Sequence, residues 1–64
     1  MFISVQFFAE YQKNYTYKCS KRNIEVGDFV IVPTVTGNTV AKVTRTKLDT
    51  PSFECKSVIR RVRL

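Results

Sequence analysis

Apolar and polar positions alternate with a period of two in several stretches of the chain, the period of a pleated strand with one buried face. In Phe2-Ile3-Ser4-Val5-Gln6-Phe7-Phe8, Ile3, Val5 and Phe7 point one way and Ser4 and Gln6 the other, with Phe2 and Phe8 at the ends. The polar run from Ala9 to Asn14 predicts a loop. Tyr15-Thr16-Tyr17-Lys18-Cys19 then alternates again, with Tyr15, Tyr17 and Cys19 on one face and Thr16 and Lys18 towards water. Two strands with a short connection predict a hairpin.

The middle of the chain is patterned differently. After the basic loop Ser20-Lys21-Arg22-Asn23, Ile24 and Val26 are expected to tuck under the fold while Gly27-Asp28 turns the chain, since glycine accepts a positive φ. Phe29-Val30-Ile31-Val32 is apolar on both parities. That predicts a strand buried on both sides or placed where a small barrel bends sharply. Pro33 lacks a backbone donor and is expected to end regular pairing. Gly37-Asn38, between Thr34 and Thr39, is a hairpin signal. Thr39 to Thr46 predicts the returning strand, with Ala41 and Val43 inward, and Lys47 to Ser52 predicts a loop. The last strand is placed at Phe53 to Leu64. Phe53 and Cys55 share one parity, whereas Val58, Val62 and Leu64 share the other. A bulge near Ser57, or a short helical turn from Ser57 to Arg61, would account for the switch.

No stretch holds a period of 3.6 residues, and no repeat or linker interrupts the chain. The expectation is one all-β domain over residues 1–64, a small five-stranded barrel of the SH3-like or OB-like kind with at most one short helical turn.

Composition sharpens this picture in a few places. A chain of 64 residues buries only about 60% of its unfolded surface, so its core is small. Hydrophobic residues make up 44% and charged ones 25%, which argues against disorder. The opening residues lack the basic region of a signal peptide, and no apolar run is long enough for a membrane helix. A cytoplasmic protein without a membrane partner is expected. Its two cysteines, Cys19 and Cys55, are then reduced core thiols or a single bridge. Zinc is disfavoured, because the chain has no histidine and no Cys-x-x-Cys. No metal or other cofactor is expected.

Part of this pattern has a likeness elsewhere. Tyr15-Thr16-Tyr17-Lys18, then Val26-Gly27-Asp28-Phe29-Val30-Ile31-Val32-Pro33, then Thr39-Val40-Ala41-Lys42-Val43 resemble a recurring type of small bacteriophage protein. The same run is similar to the N-terminal barrel of the primosomal replication-restart helicase and to SH3-like and KOW-type barrels. The likeness spans about residues 15–43 and implies a fold more than an activity. The helicase barrel binds the 3′ end of a DNA strand in a small pocket. This chain departs from it after Pro33, where Thr34-Val35-Thr36 stands, so no pocket residues carry over. A phage origin would place the protein in the host cytoplasm.

Catalysis is not expected. Histidine is absent, and Glu10, Glu25, Asp28, Asp49 and Glu54 form no evident pair. Lys18, Lys21 and Arg22 lie near Cys19 and would activate its thiol, but Cys19 falls on the apolar face with Tyr15 and Tyr17, which favours core packing. Binding is the better candidate. Eleven Lys and Arg stand against five Asp and Glu, a net charge of +6, which suits a polyanion, although such a charge also serves solubility. One basic group is Lys18, Lys21 and Arg22; another is Lys56, Arg60, Arg61 and Arg63. Arg45, with Lys42 and Lys47, extends either one. Guanidinium groups fit phosphate, though a basic last strand also guards a sheet edge. Of Tyr11, Tyr15 and Tyr17, Tyr17 is the candidate stacking platform, with core packing as its alternative. The expectation is a non-enzymatic nucleic-acid-binding barrel that works by phosphate contact. The alternatives are a phage factor docking on a host protein with an acidic surface and a homo-oligomeric assembly protein.

Overall fold

The computed structural model describes residues 1–10, 13–21 and 23–62, with the side chain of Glu10 set aside. Strand β1 (Phe2–Phe7) leads into a 3-10 turn (Phe8–Glu10). Strands β2 (Tyr15–Lys18), β3 (Phe29–Thr34), β4 (Gly37–Leu48) and β5 (Arg60–Val62) follow. They form one sheet in the order β2-β1-β4-β3-β5, and every neighbouring pair is antiparallel. The all-β expectation and the first hairpin therefore hold, with Ile3 opposite Tyr17 and Val5 opposite Tyr15. The helical turn falls at Phe8, which leaves β1 there instead of extending it.

Alternation selects the core. Ile3, Val5, Tyr17, Cys19, Ile24, Val30, Val32, Ala41 and Val43 are buried, and Phe7 and Val58 pack against them. Each buried aliphatic side chain contributes about 2 kcal/mol on area grounds. Both cysteine thiols are free, Cys19 within the core and Cys55 half-buried. Ser4 is buried too, although it lies on the opposite face from Ile3 and Val5. Asn14 covers it, accepting hydrogen bonds at Oδ1 from Ser4 Oγ (3.3 Å) and Thr44 Oγ1 (2.7 Å).

The turn before β3 forms as its residues suggest. Gly27 adopts φ 96°. Asp28 Oδ2 accepts from the Glu25 N–H at 2.9 Å, while the Asp28 N–H donates to the Glu25 carbonyl at 3.0 Å. Val26 does not tuck inward. At 63% exposure it stands on the outside of this turn, and Ile24 alone enters the core.

Pro33 does not end β3. It lies within the strand, opposite Asn38. The β5 strand pairs only with Phe29 to Ile31, so at Pro33 that side of β3 is a bare edge and the missing N–H is tolerated. The hairpin turn is accordingly Val35-Thr36 rather than Gly37-Asn38, closed by the Thr34–Gly37 pair. Thr34 Oγ1 holds it, donating to the Gly37 carbonyl at 2.6 Å, and Gly37 opens β4 at φ 117°.

Strand β4 is longer than predicted, running through Leu48. It pairs with β3 in its first half and with β1 in its second. Against β1 the partners step from Leu48 to Arg45 to Val43 while β1 steps from Phe2 to Ser4 to Val5. β4 thus carries an extra residue in each interval, and Lys47 takes φ 56°. Bulges of this kind bend a strand and increase its twist.

The last segment departs most from expectation. Only Arg60–Val62 forms a strand; Leu64 lies outside the described residues. No helical turn forms over Ser57 to Arg61. Instead Ser57 makes an isolated parallel bridge to Lys18. The Lys18 N–H donates to the Lys56 carbonyl at 2.9 Å, and the Val58 N–H donates to the Lys18 carbonyl at 2.8 Å. One residue later the Ile59 N–H donates to the Ile31 carbonyl at 2.8 Å. The chain crosses here from the β2 edge to the β3 edge, which is the physical reason for the parity switch. This single bridge is not a ladder, so the five strands form one strongly bent sheet that is not closed.

Candidate functional site

The bridge at Ser57 joins the ends of the two predicted basic groups. Lys18 ends β2 with its neighbour Tyr17 turned inward, so its own side chain points out to solvent. Lys56 is exposed on the backbone hydrogen-bonded to it. Lys21, just beyond Cys19, is exposed as well. Arg60 is exposed on β5 opposite Ile31. Arg45 also faces outward, opposite Ser4, which pairs with Thr16 on its other side. Two strand spacings, about 10 Å, thus lie between Arg45 and β2. Arg61 is turned away: half-buried on β5, its guanidinium reaches Asp28 Oδ2 at 3.6 Å. Among the described residues this is the one ion pair, so Lys18, Lys21, Arg45, Lys56 and Arg60 face water without a carboxylate partner. Arg22 and Arg63 lie outside the described residues, as does Tyr11.

Tyr17 takes its core alternative. It is 8% exposed, and its hydroxyl donates to the Pro33 carbonyl at 3.1 Å. A ring in that position offers no face to a base. Desolvation by burial raises its pKa above the ordinary 10.0.

The hydroxyl bond spans a gap. Above the Ser57 bridge, the edges of β2 and β3 are not paired with each other, and between them lies a groove of about 910 Å³. Its walls include Phe8 and Ala9 from the 3-10 turn, Tyr15 and Thr16 from β2, Val35 and Val40 from the β3–β4 hairpin, and Phe53 to Lys56. Phe8 is 64% exposed and Phe53 62%. Phe8 stacks on Phe29, with ring centroids 5.9 Å apart and planes at 25°. Tyr15 rests on Phe7 at 5.2 Å with a tilt of 56°. Lys56 also lines the groove, and its carbonyl accepts from the Lys18 N–H.

Alternation did not single out Phe8, Phe53 or the outward part of Tyr15. Phe8 and Phe53 sit at the ends of patterned stretches, where parity carries little weight. The available signal was three large rings in segments flanking loops. Among the described residues, no three His, Cys, Asp or Glu side chains gather as a metal site would require. Comparison with protein-family models, with curated proteins and with solved structures gives no match.

Proposed function

We propose that this chain is a non-enzymatic nucleic-acid-binding module of the small SH3-like or OB-like barrel type, related to the small bacteriophage barrels that Tyr15–Lys18 and Val26–Pro33 resemble. Lys18, Lys21, Lys56 and Arg60 contact phosphates, with Arg45 at the margin. The observation that carries this reading is the Ser57 bridge, which hydrogen-bonds the backbone of Lys18 to that of Lys56, each with an exposed side chain that has no acidic partner among the described residues. Unpaired cations brought together on one surface raise the local potential for a polyanion. The bridge also supports the barrel, because it ties the free edge of β2 to the segment that enters β5. The site of action is the cytoplasm, the host's if the chain is phage-encoded.

Fluorescence anisotropy with labelled oligonucleotides over a salt series tests this. About four phosphate contacts give a log–log salt slope near −3.6 on duplex DNA, or near −2.8 on a single strand. Lys18→Ala and Lys56→Ala each reduce the magnitude of that slope by about 0.7–0.9. Arg61→Ala leaves it unchanged, because its guanidinium already faces Asp28. An absence of binding at low salt would sink the reading.

One observation favours a protein-interaction module instead. The N–H and carbonyl of Lys18 point away from β1 and are taken by Lys56 and Val58, and the pleat sends those of Thr16 the same way, towards the groove. An extended peptide could pair there by strand addition. In that case oligonucleotides would not bind.

A further inference from the structure

Resting on that reading, we propose that the bound nucleic acid is single-stranded, with its bases stacked in the groove on Phe8 and Phe53 and its phosphates held at the rim by Lys56. The rings carry the argument. An exposed phenylalanine costs solvation, and this groove gathers two of them with a tyrosine. Phe8 is backed by Phe29. A ring buttressed on one face loses less freedom when a ligand covers the other. Every base has a π-face, so such platforms bind single strands with little regard to sequence. In a duplex those faces are covered by neighbouring base pairs, and the groove would stay empty.

The remaining lining fits the same ligand. About 910 Å³ lies near the top of the range for small-molecule sites, about 300–1,000 Å³, which leaves room for more than one base. Asn14 Oδ1 is already engaged by Ser4 and Thr44, so its amide donors remain for a base edge. Glu54 also lines the groove. Its charge disfavours phosphate along the walls and leaves the backbone to the lysine rim.

Three labelled probes of equal length, about 12 nucleotides, separate the possibilities: a single strand, its duplex, and an abasic single strand that keeps the phosphates but lacks the bases. The single strand is expected to bind at least tenfold tighter than either of the others. Phe8→Ala and Phe53→Ala each weaken single-strand binding by about fivefold to a hundredfold and leave duplex binding unchanged. Phe53→Tyr, which keeps the π-face, retains affinity. Both phenylalanines are exposed, and unchanged thermal midpoints would verify that the variants are folded. Equal affinity for the three probes, together with silent ring variants, would overturn the stacking inference and leave the phosphate-binding reading standing; the groove would then belong to a protein segment. Failure of all three probes at low salt would overturn both.

Discussion

Tyr17 ties β2 to β3 through one hydroxyl, and its neighbours in sequence do not reveal this. Alternation placed it inward with Cys19, and that much was legible. What decided between a core role and a stacking role was the Pro33 carbonyl, sixteen positions away in sequence and 3.1 Å away in space. Tyr17→Phe removes that bond and is expected to cost about 1 kcal/mol near neutral pH. The cost has a pH signature. Burial raises the pKa of Tyr17 in the folded state, so as pH passes the ordinary 10.0 the unfolded chain gives up a proton that the native state keeps. Unfolding is favoured there, and the wild type loses stability that the phenylalanine variant never had. Denaturant curves of the two proteins should converge above about pH 10 and run parallel below it. A gap that stays constant into alkali would remove Tyr17 as the group responsible. The cysteines make a similar contrast. Cys19 is 1% exposed and donates to the Lys21 carbonyl at 3.7 Å, while Cys55 is half-buried. With an aromatic disulfide reagent, Cys55 should react in the native protein and Cys19 only as the fold opens, with both thiols counted in denaturant.

At the level of elements, the turns separate what pattern reveals from what it hides. Gly27 and Asp28 were legible because a short segment supplies both the positive φ and the carboxylate that caps the Glu25 N–H. Beyond its two chain neighbours, no heavy atom lies within 4 Å of a Cβ placed on Gly27, so Gly27→Ala meets no tertiary clash and its cost is conformational. A loss of about 1–2 kcal/mol is expected, seen as a lower denaturation midpoint with an unchanged m-value. The β3–β4 turn lies at Val35-Thr36 and not at the Gly37-Asn38 signal. Gly37 is the first residue of β4, and Thr34 does the local work by bonding across Val35-Thr36. The bulges in β4 left no mark in sequence, since no glycine accompanies them; they follow from pairing one strand with two partners on a curved sheet. The segment from Phe53 to Ile59 could not be assigned from periodicity, because its hydrogen bonds go first to β2 and then to β3.

At the scale of the molecule, segments distant in sequence that carry cations meet because the sheet bends until its edges approach. Lys18 and Lys56 belong to separate basic groups and are neighbours only through the Ser57 bridge. Arg61, by contrast, left its group for Asp28. The same bend opens the groove, whose walls come from β1, β2, the β3–β4 hairpin and the segment before β5. Its aromatic content and its lysine rim are thus two consequences of one curvature, and the oligonucleotide experiments probe them separately. Residue types alone determined that the fold is built of strands, that the core is drawn from one face of each alternating stretch, and that the chain carries an excess of positive charge. These are local or additive properties, set by a period of two and by counting ionised side chains. Which cations gather, which tyrosine is buried and where a groove remains were decided only by the tertiary structure. Each depends on pairing between residues far apart in the chain, and that pairing is governed by backbone hydrogen bonds common to every residue type.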